Sequence, residues 1–160
     1  MGLFNFFKKG GNFSLISEVV TTWYCGVCDH PKSNTLTLPQ KLYCAGILDM
    51  ITYIQSGVVD GEMIGECVRR AVKTNPNLNE TNCLLSYIQE IEMLIFSIES
   101  PSLSKSQISR EVLDHSDKIE RTMLSVLNNA STADLMKTKP GVNNLLENAD
   151  ILNMILSFQI

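Results

Sequence analysis

Thr37-Leu38-Pro39-Gln40-Lys41-Leu42-Tyr43-Cys44-Ala45-Gly46-Ile47-Leu48-Asp49-Met50-Ile51-Thr52-Tyr53-Ile54 is the stretch on which the fold turns. Its first four residues spell a helix start. Thr37 can accept a hydrogen bond from the backbone three residues on, and Gln40 can reach back to the Thr37 amide. Pro39 does no harm there, because the donor it lacks would be unpaired in a first helical turn. Cys44, Ile47, Leu48, Ile51 and Ile54 then recur at helical spacing. Leu42, Tyr43, Met50 and Tyr53 spread the apolar surface over most of the circumference. A helix apolar on nearly every side is buried, so this segment reads as the central helix of an all-α domain.

The flanks repeat the helical pattern. Upstream, Ile16, Val19, Val20, Trp23 and Val27 form one stripe, predicting a helix from Ser14 to about Tyr24 or Cys28 that His30-Pro31 ends. Downstream, Gly57 closes the central helix and Asp60 is placed to cap the next, whose inner stripe is Met63, Ile64, Cys67, Val68 and Ala71. Glu66 precedes Arg69 and Arg70 at ion-pair spacing. Asn75-Pro76-Asn77 breaks the chain, and Asn79 caps a fourth helix running to about Glu99. A second capping box, Ser104 with Gln107, opens a long helix to about Asn128. Ser131 caps a short turn before Pro140-Gly141, and a last helix spans about Val142 to Phe158. No segment alternates in the strand pattern. The expectation is an all-α, single-domain bundle of about five to seven helices with short connections in residues 12–160, preceded by an N-terminal amphipathic segment, residues 1–11.

Size and composition agree with a full core. The chain has 160 residues, 44% hydrophobic and 19% charged, which is a globular and not a disordered composition. Net charge is -4, and Lys and Arg are scattered, so nucleic acid, which needs a concentrated basic face, is not an expected partner. No apolar run approaches the roughly 18 residues of a membrane span. With no secretory pattern at the start, a cytoplasmic location is the default expectation, and the five cysteines would then be reduced. Leu3, Phe4, Phe6 and Phe7 followed by Lys8 and Lys9 read first as a short helix capping the core. The sharper reading is a weak membrane-surface contact or partner anchor through Leu3–Lys9.

Few residues announce chemistry. Cys25-Gly26-Val27-Cys28 after Trp23 resembles a thioredoxin active site on the surface. That chemistry needs a strand before the motif and a helix beginning at the first cysteine. Here the preceding pattern is helical, and if the helix runs through the motif its wheel turns Cys25 outward. Cys25, Cys28, His30 and Cys44 together make a candidate zinc set, but a strong zinc signal has two close ligand pairs and this sequence has one. Cys44, Cys67 and Cys83 read more simply as small buried apolar residues. His115 sits on the stripe Ile108, Val112, Ile119, Met123 with no evident nucleophile. The carboxylate pairs Glu90/Glu92 and Asp114/Asp117 read as solvated outer-face groups.

Val58-Val59-Asp60-Gly61-Glu62-Met63-Ile64-Gly65-Glu66 joins an apolar helix to a second helix through Asp-Gly-Glu. Over about Leu42–Thr74 this resembles the tellurite-resistance B-like (TerB-like) family. The resemblance implies an all-helical fold of this size and a cation bound at the loop, here through Asp60, Glu62 and Glu66. Family members usually carry a second acidic Asp-Gly loop. The corresponding place here, Glu99-Ser100-Pro101-Ser102, lacks it.

The leading expectation is therefore not an enzyme. It is a protein-binding module of inhibitor, immunity or adaptor type, acting through a surface of the bundle on a protein partner of basic character, with self-association as a further option and no cofactor. The alternative is a metal- or redox-responsive protein, using Cys25 and Cys28 with zinc, or the Asp60 loop with a divalent cation.

Overall fold

The computed structural model describes residues 13–53 and 61–160, with side chains for 15–50 and 61–160. The Leu3–Lys9 segment, Ile54, Gly57 and the Asp60 cap lie outside the described residues, as do the side chains of Ile51 and Tyr53. In chain order the helices are α1 (Phe13–Asp29), a 3-10 turn (Pro31–Thr35), α2 (Leu38–Tyr53), α3 (Gly61–Thr74), α4 (Glu80–Glu99), α5 (Lys105–Asp114), α6 (Ser116–Asn129), α7 (Thr132–Leu146) and α8 (Ala149–Leu156). The described residues form no strand and no helix long and apolar enough to cross a membrane.

The helix starts are made as the side chains dictate. The Gln40 amide N–H donates to Thr37 Oγ1 at 3.4 Å and the Thr37 N–H to Gln40 Oε1 at 2.9 Å. Asn79 Oδ1 accepts from the Asn82 N–H at 3.0 Å. Ser104 and Gln107 complete the second reciprocal box at 3.2 and 2.8 Å. Each cap satisfies amide donors that a helix cannot pair internally, a contribution of about 1 kcal/mol apiece.

Among the described residues there are eight α-helices, where five to seven were expected, and the difference follows from breaks the periodicity does not mark. The long helix expected from Ser104 to about Asn128 ends at His115, whose backbone leaves the helical region at φ -105°, ψ 6°. The break lets α5 lie on α4 while α6 turns onto α1. Conversely, Pro140-Gly141 does not interrupt α7, which runs through it. A helix-interior proline costs about 3 kcal/mol, and here packing on both sides of it offsets the loss. Gly26 meets Thr138 Oγ1, and Gly141 meets the Trp23 ring and Leu48, so closely that a Cβ at either glycine would lie 2.4 to 3.0 Å from its neighbour. The chain breaks instead after Glu147, where Asn148 caps α8 by accepting from the Ile151 N–H at 3.1 Å.

Three helices share the interior. Every residue of α2 from Leu42 to Met50 is buried, with Ile16, Val20, Tyr24 and Val27 of α1 and Leu84, Tyr87, Ile88, Ile91 and Ile95 of α4 around them in one connected core. Full burial of such side chains stabilises by roughly 1.5–3 kcal/mol each. At Gly46 α2 lies close against its neighbours, since a Cβ there would fall 1.8 Å from Tyr87 Oη and 2.6 Å from Ile64 Cγ2. The C-terminal tail closes over α2 and α3. Phe158 stacks on Tyr43 with centroids 4.4 Å apart and an interplanar angle of 4°, Arg69 lies 5.3 Å over the Phe158 ring, and Gln40 Nε2 donates to the Leu156 carbonyl at 3.0 Å.

The expectation for Glu90 and Glu92 is corrected. Glu92 is wholly buried, with neither carboxylate oxygen hydrogen-bonded, and Glu90 is partly buried. The reason is that α4 has neighbours on most of its circumference, touching α1, α2, α3, α5 and α6. Asp49 on α2 is buried as well. Asp114 and Asp117 are exposed, as expected.

Candidate functional site

Helices α3 and α4 are tied as a hairpin. Asn75 Nδ2 donates to the Ala71 carbonyl at 2.9 Å and to Ser86 Oγ at 2.8 Å, which fixes the turn between them. Further along, Cys67 Sγ donates to the Glu90 carbonyl at 3.8 Å. On its other flank α4 carries α5. The two flanking helices both pack on α4 and scarcely touch each other, so among the described residues a strip of α4 between them stays uncovered.

That strip is the floor of a groove of about 610 Å³. Glu90, Met93, Leu94 and Ser97 line it, falling at the i, i+3, i+4, i+7 spacing of one helix face. The α3 wall presents Met63, Glu66, Cys67 and Arg70 at the same spacing, with Glu62 one turn before Glu66. The opposite wall is Leu103, Lys105 and Ile108. Apolar side chains thus line the bottom and charges stand along the rim, the arrangement of a binding groove.

The rim charges form a chain. Arg69 pairs with Glu62 at 3.2 Å and with Glu66 at 3.7 Å. Arg70 pairs with Glu66 at 3.3 Å and reaches Glu90 at 3.7 Å. Burial raises the Glu90 carboxyl above its ordinary range, and the Arg70 charge and hydrogen bond, with Lys105, pull against that rise. The expected Glu66 pairing with Arg69 and Arg70 is therefore present and forms one wall of the groove.

The candidate ligand sets fall elsewhere. Cys25 and Cys28 are on the last turns of α1, which runs through the motif to Asp29. Cys25 is half-buried and not turned out to solvent as the wheel predicted, because α1 has α2, α4, α6 and α7 around it. Burial, with the neighbouring Cys28 and Glu80, pushes the Cys25 thiol up to about 11. Burial raises the Cys28 thiol too, opposed by its hydrogen bond with Tyr24 and by the Lys41 charge, while the Tyr24 hydroxyl proton is donated to Glu80 Oε1. His30 caps the 3-10 turn, its Nδ1 accepting from the Lys32 N–H at 3.1 Å, so the ring proton sits on Nε2, 3.8 Å from Glu147 Oε1. Cys44 lies within the core, its thiol pushed up to about 12 by burial. Of the second set, Asp60 lies outside the described residues, while Glu62 and Glu66 hold the arginine pairs. Among the described residues no three His, Cys, Asp or Glu side chains stand together in metal-binding geometry.

The thiols carry a prediction. At neutral pH, maleimide labelling of native protein is expected first at Cys25 and Cys28 and slowly at the buried Cys44, Cys67 and Cys83, with no effect of a chelator. Because the thiolate is the reactive form and the Cys25 pKa is about 11, its rate should climb about tenfold per pH unit from 7 to 9. A rate already flat over that range, or accelerated by a chelator, would contradict this geometry.

The groove was not anticipated from sequence. Its one visible signal is that Met93 and Leu94 lie off the Leu84, Ile88, Ile91, Ile95 stripe, which makes that helix apolar on a second face. A smaller cleft of about 470 Å³ opens between the end of α1, the 3-10 turn and α7. Lys32, which lines it, donates from Nζ to the Leu146 carbonyl at 3.0 Å. No family profile, curated protein or solved structure matches the chain.

Proposed function

We propose that the protein is a non-enzymatic helical binding module that takes a protein partner of basic character in the groove between α3, α4 and α5. The observation that carries the reading is the α4 face that the described residues leave uncovered, with Met93 and Leu94 as an apolar floor between walls that bear Glu62, Glu66, Arg70 and Lys105. Apolar surface sealed by a partner supplies the affinity, and a charged rim steers and aligns the encounter. The net charge of -4 favours approach of a basic partner.

The reading is tested by capture. Native protein, Leu94→Glu and Met154→Glu are immobilised after circular dichroism has shown all three folded, and bound proteins are identified by mass spectrometry. Leu94 is on the groove floor, while Met154 is exposed on α8 and absent from the groove lining. The expected result is a specific partner held by the native protein and by Met154→Glu, and reduced at least tenfold with Leu94→Glu. The same partner held equally by all three proteins would move the binding surface off the groove.

A further inference from the structure

We propose that Cys25 and Cys28 form a reversible redox pair that closes as a disulfide within the last turns of α1, by exchange with a small-molecule disulfide. Neither cysteine lines the groove, so the pair is independent of what the groove binds.

The helix holds the two residues at bridging distance. Both lie on α1, which runs unbroken from Phe13 to Asp29. Residues three apart on a helix have Cα atoms about 5 Å apart, from a rise of 1.5 Å per residue on a cylinder of radius about 2.3 Å. Disulfides span about 4.4–6.8 Å between Cα atoms. Their Cβ atoms, about 5–6 Å apart on a regular helix, must close to about 3.5–4.5 Å. Cys28 is the residue with room to make that move. Cys25 is followed by Gly26, pressed on Thr138, and by Val27, which is wholly buried. After Cys28 comes only the exposed Asp29 before α1 ends. The helix has already left its regular spacing there, since the His30 N–H donates to the Val27 carbonyl, three residues back, at 3.2 Å. Access sets the pair apart from the other thiols. Cys25 and Cys28 are partly exposed, whereas Cys44, Cys67 and Cys83 are buried on α2, α3 and α4.

The surroundings assign the order of events. The Cys28 thiolate is favoured, against burial, by its hydrogen bond with Tyr24 and by the Lys41 charge. Cys25 has no such support, because burial, Cys28 and Glu80 all push its thiol up. Cys28 therefore loses its proton to solvent and attacks one sulfur of the small disulfide. A bond forms between Cys28 Sγ and that sulfur, the small molecule's own S–S bond breaks, and one thiolate leaves to be protonated. Cys25, deprotonated in turn, attacks Cys28 Sγ and expels the second thiolate. Two electrons pass from the protein to the small disulfide, which departs as two thiols. The product is readily reversed, since a disulfide that strains its helix is more easily reduced. It is also formed slowly. The negative end of a helix disfavours thiolate, the reverse of the helix start at which catalytic Cys-X-X-Cys pairs stand. The pair thus suits a response to a lasting change in the surrounding thiols, not turnover of a substrate.

The test uses the full chain, reduced and equilibrated with mixtures of reduced and oxidised glutathione at about pH 8, where more thiolate is present. After acid quenching, denaturation and alkylation, mass spectrometry reads each cysteine. As the oxidised share rises, the chain should lose two hydrogens, with Cys25 and Cys28 joined and Cys44, Cys67 and Cys83 alkylated. Dithiothreitol should restore all five thiols. Cys25→Ser removes the thiol that closes the bridge, and should carry glutathione on Cys28 at a level roughly fivefold or more above the native chain in the same mixture. Glutathione retained on Cys25 or Cys28 of the native chain without closure would overturn the proposal. So would both remaining thiols under a large excess of glutathione disulfide, a bridge joining two chains, or oxidation of all five cysteines alike.

Discussion

Replacing Glu92 by methionine is expected to raise stability at pH 7.5, by about 1–4 kcal/mol, the range seen when buried ionisable groups give way to apolar side chains of like volume. Glu92 is wholly buried on α4 and both of its carboxylate oxygens lack a hydrogen-bond partner. Desolvation makes the ionised form so unfavourable there that the carboxyl keeps its proton well above its ordinary pKa of 4.5. Methionine fills a similar volume with no charge to desolvate. Asp49 behaves alike more mildly, its pKa raised from 3.8 to about 7 by burial alone. Both folded-state values lie above the unfolded ones, so the native state binds more protons and stability falls as pH rises. For Asp49 the loss runs from about pH 4 to about pH 7, and for Glu92 it begins near pH 4.5 and continues higher. Urea unfolding at pH 5.5 and 7.5 reads this out. The native protein should be more stable at the lower pH, and Glu92→Met should reduce that difference. A Glu92→Met protein less stable than the native one at both values would sink the account, as would a native protein more stable at pH 7.5.

The second large effect is at Gly46. In an exposed helix, glycine to alanine gains about 1 kcal/mol from propensity. Here the added Cβ would fall 1.8 Å from Tyr87 Oη and 2.6 Å from Ile64 Cγ2, separations that force the helices apart. Overpacking of a tight core costs about 1–3 kcal/mol, and a contact this short belongs at the upper end, so Gly46→Ala should be destabilising by about 2 kcal/mol net. Tyr87→Phe provides the control. The Tyr87 hydroxyl is buried and has no hydrogen-bond partner, so its removal should be near neutral. Combined with Gly46→Ala it should recover about 1 kcal/mol, because the atom nearest the new methyl is gone, while the Ile64 contact keeps rescue partial. Strict additivity of the two changes in urea unfolding would show that the helices do not meet at Gly46 and Tyr87.

What the sequence made legible is local. The Thr37–Gln40 and Ser104–Gln107 caps need only residues three apart, and their chemistry is complete within one turn. The break at His115 and the continuity through Pro140 depend on which distant helix each half packs against, and no periodicity encodes that. Glu92 was half legible. Ile88, Ile95 and Phe96, its neighbours one turn away on either side, are all apolar, and that pattern marks a buried face. It read as an outer-face group because the sequence does not say how many helices surround α4. The groove was least legible. It exists because α3 and α5 flank α4 without closing over it, and that depends on two pairings between separate segments. The Cys25, Cys28, His30 and Cys44 set looked like a cluster because three of its members are close in sequence, but His30 and Cys44 serve a turn and the core.

Gln40 has a consequence in time. Its Oε1 completes the cap of α2, while its Nε2 donates to the carbonyl of Leu156, 116 residues further on. At roughly 5–20 residues per second of synthesis, the second partner follows the first by about 6 to 23 seconds. Through that interval the nascent chain has α2 begun, the Gln40 amide hydrogens on water, and the Tyr43 ring without Phe158 stacked on it. The face of α2 that the tail will cover is then open to whatever apolar surface is nearby on the ribosome. The last turns of the chain act as a latch on an opening laid down early, and a chaperone holding that face has until the latch arrives to let go.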